Sequence, residues 1–271
     1  MGSAADASRL YLRFVRARIR AQLQYPTSLA LETVGMIVGT FLDFVAILII
    51  FANVPQLGGW SVAEVALLYA IATMAFSLTD LVLGHTDTQL AEMIRTGTFD
   101  LLLTRPRSTL LQLVTADFQL RRLGKTVQGA VVLLFALSQL HLSWTIDRLA
   151  MLVAAPFIGA LIFGSVWLLV ICVAFWTVDG KEIGSAFTYG GQSLAQYPVN
   201  IYERWLRGFL AFVVPTAFVS YFPALYILAK PDPLGLPAIL QVASPVVGVL
   251  SAIVAVTVWR SAVRHYQSAG G

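Results

Sequence analysis

The sequence predicts an all-α, polytopic membrane protein with six transmembrane helices and no soluble domain. The chain is 58% hydrophobic and 12% charged, whereas soluble domains contain roughly 25% charged residues. Its apolar residues come in long uncharged blocks rather than at the spacing of a surface helix. Six of these blocks have the length of about 20 apolar residues that a helix needs to cross a bilayer. We therefore expect a single transmembrane domain that covers residues 1–271.

The six predicted spans follow these apolar blocks along the chain. Their approximate bounds are 28–53, 60–84, 126–144, 149–178, 208–229 and 234–259. Gly35 and Gly39 in the first span have the GxxxG spacing, which permits close contact between helices. Pro156 predicts a kink in the fourth span, and Pro215 and Pro223 fall within the fifth.

A helix at residues 6–24 precedes the first span without being a span itself. Arg9, Arg13, Arg16 and Arg20 recur at helical spacing, and apolar side chains fill most of the remaining helix surface. A helix of this kind lies on the membrane with its arginines at anionic headgroups. We therefore expect an interfacial helix before the first span.

The basic residues predict the orientation of the chain. All but two of the 18 Lys and Arg residues fall in the N-terminal helix, the loop 85–125, the loop 179–207 and the C-terminal tail. The two exceptions, Arg148 and Lys230, lie in short turns at the other side. Because loops rich in Lys and Arg stay in the cytoplasm, we expect both termini and both long loops to be cytoplasmic.

The loop 86–114 is the stretch in which we expect contact with another protein. Thr86 can cap a short helix, and Gly97 can end that helix in left-handed geometry. Arg105 and Pro106 then break the next turn, and Ser108 can cap a second helix. An ordinary cytoplasmic loop with basic residues at the lipid surface is the alternative interpretation.

Within this loop, the short helix and the residues that follow it form the candidate contact surface. Glu92 and Arg95 lie three residues apart on one helix face and could pair with polar groups of a partner. Phe99 would be an apolar knob that the partner buries. The candidate residues are Gln89, Glu92, Met93, Arg95, Gly97, Phe99, Asp100, Arg105 and Pro106.

The ionisable and aromatic residues of the spans suggest a substrate pathway. An ionisable group in the bilayer costs several kcal/mol unless it is paired or hydrated. Asp43, near the middle of the first span, could bind a cationic substrate or form a structural hydrogen bond. Asp80 lies near a cytoplasmic end, where water or an arginine could reach it. Phe76 and Trp167 complete the candidate pathway, although such aromatic residues more often serve packing.

The sequence contains no motif for catalysis. His85, His141 and His265 fall in separate segments, and no pair has the spacing of metal ligands. Gly124-Lys125-Thr126 resembles the end of a phosphate-binding loop, but Gln119 stands where that loop needs its first glycine. We therefore expect that the chain is not an enzyme by itself and that it binds no cofactor directly.

Three stretches, 94–106 (IRTGTFDLLLTRP), 195–224 and 258–271, resemble one family. In this order and spacing they are similar to the permease subunits of ABC type-2 exporters, in the six-helix, viologen-exporter-like subfamily. This resemblance implies a bacterial cytoplasmic membrane protein that pairs with a second permease subunit, identical or different. Separate ABC ATPase subunits would bind ATP and Mg and would dock on a coupling helix within 92–100. The N-terminal helix would be the elbow helix.

The function that the resemblance implies is ATP-driven export of a small molecule across the lipid bilayer, without any nucleic acid. A proton-coupled secondary transporter that uses Asp43 or Asp80, or a non-transporting membrane scaffold, are the alternatives. One departure from other type-2 exporters is the short turn between the fifth and sixth predicted spans. It predicts that the extracellular helical hairpin of the lipid and sterol exporters is missing here.

Overall fold

The computed structural model describes residues 13, 16, 17, 19–105, 108–115, 119–177 and 181–266, without the side chains of 181–185. This part of the chain is helical, apart from turns and one isolated bridge between Leu57 and Trp60, which confirms the predicted fold class. The α-helices are α1 (Pro26–Asn53), α2 (Val62–Leu83), α3 (Thr86–Arg95), α4 (Asp100–Leu103), α5 (Thr109–Thr115), α6 (Leu123–Gln139), α7 (Ile146–Cys172), α8 (Lys181–Ala195), α9 (Arg204–Gly208), α10 (Tyr221–Leu228) and α11 (Ser244–His265).

Most of the predicted interfacial helix lies outside the described residues, including Arg9. The described residues among 13–22 are helical, and Arg13, Arg16 and Arg20 are exposed.

Four helical runs of the described chain are long and apolar enough to cross a membrane. They are Pro26–Asn53, Val62–Arg95, Ile146–Phe175 and Ser244–His265, and they correspond to the first, second, fourth and sixth predicted spans. Helix α6 corresponds to the third and has 17 residues, the lower limit for a spanning helix. Helix α2 is the centre of the core, since residues 65–73 are all fully buried between α6, α7, α8 and α1.

The helices define two ends of the bundle. At the first, which we call the α3 end, the Phe99 ring lies 5.4 Å from that of Phe175, just after α7, and 4.9 Å from that of Tyr266, just after α11. At the opposite end, the Trp60 end, Lys230 Nζ lies 2.9 Å from Glu64 Oε1. The starts of α2, α7 and α11 all lie at the Trp60 end.

Helix α8 connects the two ends, which corrects the predicted cytoplasmic loop 179–207. The helix contacts α3 at one end, and the Tyr189 ring then lies 5.6 Å from the ring of Phe76. Farther on, Asn200 accepts a hydrogen bond from Trp60 Nε1 at 3.1 Å and donates one to Gly58 O at 2.7 Å. The part of the predicted loop around Asn200 therefore lies at the Trp60 end.

The predicted fifth span, 208–229, does not cross the bundle, because the chain lies at the Trp60 end both before it, at Asn200, and after it, at Lys230. It follows Asn200 closely, and after it Lys230 Nζ donates to Gly59 O at 2.8 Å. Between these points Thr216 packs on Gly191 and Val219 on Gly159, in the interior of the bundle. The segments Arg204–Val213 and Thr216–Leu228 meet at a bend of 73°. Because the chain enters and leaves at the Trp60 end, these segments form a re-entrant hairpin.

Pro215 explains the bend of this hairpin. Proline has no N–H to donate and restricts the residue before it. Val214 accordingly leaves helical geometry, with φ −116° and ψ 89°. Pro223 falls in the first turn of α10, where a missing N–H is tolerated.

Cysteine labelling in intact cells tests this topology. In a Cys172→Ala background, an impermeant thiol reagent should label His141→Cys, Asp232→Cys and Glu203→Cys but leave Arg105→Cys unlabelled. The labelling expected at His141, Asp232 and Arg105 follows from the distribution of basic residues, whereas the labelling expected at Glu203 follows from the position of the re-entrant hairpin. Labelling of Arg105→Cys from outside would contradict the orientation. A Glu203→Cys variant that behaves like Arg105→Cys would contradict the path of α8.

Candidate functional site

A cavity of about 570 Å³ opens between α1 and α8. It is polar for a site inside an apolar bundle, because its wall carries a carboxylate, an ammonium, two amides and two phenols. The lining residues are Met36, Gly39, Thr40, Asp43, Ala46, Lys125, Tyr189, Gln192, Ser193, Gln196 and Tyr197. The cavity is the place where a polar or charged small molecule could enter the bundle.

Asp43 supplies the uncompensated charge of this cavity. Its side chain is exposed on α1 and makes no hydrogen bond or ion pair with another described residue. Lys125, the cation of the cavity wall, is engaged elsewhere: its Nζ lies 3.9 Å from Asp80 Oδ2 and 5.4 Å from the centroid of the Phe76 ring. The cavity therefore favours a positively charged guest.

Two tyrosines give the cavity neutral hydroxyl groups. Tyr189 and Tyr197 both line the cavity wall, and a tyrosine hydroxyl can donate as well as accept a hydrogen bond.

Helix α8 supplies a polar face to the cavity that the prediction of a cytoplasmic loop overlooked. Tyr189, Gln192, Ser193 and Gln196 are spaced three, one and three residues apart, so they share one face of the helix. Gln196 also donates to Thr73 Oγ1 of α2 at 3.4 Å. The polar spacing in 189–196 was the available signal, but these same residues lower the mean hydropathy of the segment below that of a span.

Phe76 and Trp167 lie behind the cavity rather than on its wall. Their rings stack, with centroids 5.5 Å apart and planes inclined by 27°. Both side chains are buried, and neither lines the cavity. The structure therefore favours packing over a pathway role for these two residues.

Asp80 holds α2 against the turn Leu120–Arg122 that begins α6. Its side chain is 8% exposed and lies 3.8 Å from Nε of Arg122, whose side chain is 4% exposed. Arg122 Nη1 also donates to the main-chain oxygen of Asp80. A Cβ atom at Gly84 would overlap this Nη1, so the glycine makes room for the pair. Asp80 is buried in this pair and does not line the cavity, although it lies beside Lys125 of the cavity wall.

Helix α3 continues α2 beyond the bundle. The two form one run of 34 residues, Val62–Arg95, interrupted only by a turn at Gly84 and His85. At 1.5 Å per residue this run is about 50 Å long, whereas the hydrocarbon core of a bilayer is about 30 Å thick. If α2 crosses the membrane, α3 must project from it.

The end of α3 confirms the prediction for Gly97. Its φ of +69° is the left-handed geometry that only glycine adopts without strain. The chain reverses there, and the Phe99 N–H donates to Met93 O at 3.1 Å. The predicted cap at Thr86 is wrong, because Thr86 is the first helical residue and its hydroxyl donates to Leu83 O at 2.6 Å.

Phe99 is an internal anchor, so its predicted role as a knob for a partner is wrong in this structure. Its ring is fully buried in what we call the inner aromatic cluster, which consists of Phe99, Phe175, Trp259 and Tyr266. The rings contact one another edge to face, with centroids 4.9–6.1 Å apart. This cluster ties the α3–α4 segment to the ends of α7 and α11.

A family model described as ABC-2 family transporter protein matches residues 37–270. The chain belongs to this family. Comparison with curated proteins and with solved structures finds no match. The matched region contains most of α1 and every later helix described above, together with the inner aromatic cluster and every cavity-lining residue except Met36. As an ABC-2 family member, the chain is a permease, the membrane component of an ABC transporter.

The exposed part of the α3–α4 segment of this ABC-2 permease is polar on α3 and apolar on α4. Arg95 and Glu92 pair with each other at 2.7 Å and remain exposed. Leu101 and Leu103 are 60% and 43% exposed, and sequence reasoning missed both. Of the other residues predicted to contact the partner, Gln89, Met93 and Asp100 are half-buried and Arg105 is exposed. Pro106 lies outside the described residues.

The described residues of the permease form no cluster of metal ligands, and the glycine-lysine-threonine stretch has a structural role. No three of their His, Cys, Asp and Glu side chains could together hold a metal ion. The residues that resemble a phosphate-binding loop serve packing: a Cβ at Gly124 would lie 3.1 Å from Thr33 O of α1, and Thr126 Oγ1 lies 2.7 Å from Ser77 Oγ.

Proposed function

We propose that the chain is the permease subunit of a bacterial ABC exporter of the viologen-exporter-like subfamily. It works in the cytoplasmic membrane with separate ATPase subunits, which bind ATP and Mg, and with a second permease subunit. One observation carries this proposal. Helix α2 packs against the cavity-lining helices α1 and α8, and α3 continues α2 beyond the length of a membrane span. A displacement of α3 would therefore reach the cavity through a helix.

The proposed permease crosses the membrane six times, through α1, α2, α6, α7, α8 and α11. This arrangement places both termini at the α3 end. It also moves Arg204 and Arg207 to the Trp60 end, where Arg148 and Lys230 already lie. The remaining Lys and Arg residues still concentrate at the α3 end, which supports a cytoplasmic α3 end.

The ATPase would dock on the exposed residues of α3 and α4. Thr88, Glu92 and Arg95 offer polar groups on successive turns of one face of α3, and Leu101 and Leu103 offer apolar surface beside it. Movement of this surface would pass to α2 through the helical run and to α7 and α11 through the inner aromatic cluster. Two connections of this kind would let one docking site rearrange several spans together.

The cavity would be the substrate pathway, with Asp43 as the group that selects organic cations. The carboxylate lies among neutral amides and phenols, while Lys125 is occupied by Asp80. A hydrogen bond to a charged group contributes about 1.5–3 kcal/mol. Loss of the Asp43 charge should therefore weaken binding of a cation much more than binding of a neutral compound.

Export measurements on Asp43→Asn test this function. We expect cells with the variant to export organic cations about tenfold less well than cells with the wild-type chain, since about 1.5 kcal/mol corresponds to about a tenfold change. Neutral compounds should be exported equally. Glu32→Gln is the matched control, because Glu32 lies on the same helix but pairs with Arg121 at 3.3 Å, outside the cavity.

Two outcomes would argue against the proposal. Equal export of all cations by Asp43→Asn and wild type would leave Asp43 a structural role only. Export that needs no ATPase and stops when the proton gradient is collapsed would favour the secondary transporter instead.

A further inference from the structure

A second cavity, of about 400 Å³, lies on the outside of the bundle between α7 and α11. We call it the α7–α11 groove. It is lined by Leu161, Val249, Ala252, Ile253, Val256, Thr257 and Arg260. The only polar groups in this set are Thr257 and Arg260, and the Thr257 hydroxyl donates to Ile253 O at 2.7 Å. The groove is therefore apolar along its length and charged at one end.

The groove has the length of one lipid leaflet. Between Val249 and Arg260 helix α11 rises by about 16 Å, which is about half of the 30 Å hydrocarbon core. Leu161, Val249 and Ile253 are exposed apolar side chains, as expected of a surface that faces acyl chains. Arg260 is exposed near the α3 end of the same helix, where a lipid headgroup would lie.

The charge at this end of the groove is positive and without an acidic partner. Arg260 forms no ion pair with any described residue. The sequence contains no Asp or Glu from residue 233 to the end of the chain, and none in α7 after Asp147. Arg264 follows one turn later and is also exposed. A phosphate group would supply the missing counter-charge, and an anionic headgroup would do so without bringing a cation of its own.

We propose that the α7–α11 groove binds an anionic phospholipid, with one acyl chain along Val249–Val256 and its phosphate at Arg260. This proposal does not depend on the substrate or on the ATPase. It assigns a lipid-binding role to a face of the permease that neither the cavity nor the α3–α4 segment uses. A bound lipid there would contact α7 and α11 together, which are the two helices that end at the inner aromatic cluster.

Spin-label measurements on the purified full-length chain test the proposal. The chain is reconstituted in phosphatidylcholine vesicles with a trace of spin-labelled phosphatidylglycerol or phosphatidylcholine, and the motionally restricted fraction gives the preference for each lipid. Arg260→Gln should reduce the preference for phosphatidylglycerol about fivefold, the factor expected for one basic side chain near an anionic surface. Arg260→Lys should retain it. Val256→Trp should fill the groove and lower the restricted fraction of phosphatidylglycerol.

Two matched control variants distinguish lipid binding in the groove from general electrostatic attraction of anionic lipid to the protein. Arg264→Gln removes the same charge one turn away, and Val254→Trp adds the same bulk at an exposed position that does not line the groove. Both should behave like wild type. The proposal is overturned if Arg260→Gln has no effect or if Arg264→Gln lowers the preference equally. It is also overturned if Val256→Trp alters the oligomeric state but not lipid binding, since a second protein copy would then occupy the groove.

Discussion

Replacement of Phe99 by alanine should uncouple the permease from its ATPase while the chain still inserts into the membrane. The ring is fully buried among Phe175, Trp259 and Tyr266, and truncation of a buried phenylalanine costs about 3–5 kcal/mol. The loss falls on the attachment of α4 to α7 and α11, since the spans themselves keep their packing. We expect copurifying ATPase and transport-stimulated ATP hydrolysis to fall sharply at normal permease levels.

Gly97→Val should act on the same segment through the backbone. A Cβ at Gly97 would meet no atom within 4 Å, so any effect must come from the φ of +69°. A β-branched residue strongly disfavours that geometry, whereas asparagine tolerates it. Gly97→Val should therefore impair coupling, and Gly97→Asn should largely preserve it.

Further variants distinguish anchoring from docking. Leu101→Ala removes exposed apolar surface, so it should weaken ATPase binding without a change in the thermal unfolding of the permease. Thr109→Ala, on α5 and outside the proposed surface, should do little. If Phe99→Ala and Gly97→Val both bind the ATPase and transport like wild type, the segment 86–105 is merely a connecting loop.

Hydropathy predicted the long spans correctly, because helices with so few polar residues are suited to lipid and not to water. The helical runs Pro26–Asn53 and Ser244–His265 are long and apolar, and most of their surface is not covered by the chain itself. Hydropathy did not identify α8 as a span, because Gln192, Ser193 and Gln196 line a polar cavity inside the bundle. A helix that lines a pathway is amphipathic for a functional reason, and its mean hydropathy then resembles that of a loop.

The opposite error arose at residues 208–229, which are apolar but do not cross from one end to the other. A re-entrant hairpin and a span both bury apolar side chains, so composition cannot separate them. The decisive facts are tertiary: Trp60 binds Asn200, and Lys230 binds Gly59. Pro215 was the local sign of a break, but a proline can equally kink a true span.

The candidate site shows the same division between local and tertiary information. The end of helix α3 depends on one residue, Gly97, and was predicted from the sequence. Whether Phe99 or Leu101 faces outward depends on which side of the one-turn helix α4 meets Phe175 and Tyr266, which are far away in the chain. An arginine near Asp80 was expected as one possibility, but only the fold shows that it is Arg122.

Replacement of Asp80 by leucine should cause a large loss of stability in the bundle. It would remove the Asp80 carboxylate from beside Arg122, a residue that is 3% exposed, and removal of one partner of a buried pair costs about 3–5 kcal/mol. Arg122→Met should cost less, because Lys125 remains 3.9 Å from Asp80. The control Glu32→Gln breaks the half-exposed pair with Arg121 and should cost at most about 1 kcal/mol. The midpoint of thermal unfolding in detergent measures all three.

The double variant Asp80→Leu/Arg122→Met separates stability from function. Replacement of a buried ion pair by apolar residues of similar volume is often neutral or stabilising, so its unfolding midpoint should return close to that of wild type. Transport need not return with it, because the pair lies at Gly84, where α2 passes into α3. A stable double variant with impaired ATP-coupled export would show that the pair positions α3 relative to α6. If Asp80→Leu alone unfolds like wild type, the two charges do not stabilise each other, and this account of Asp80 is wrong.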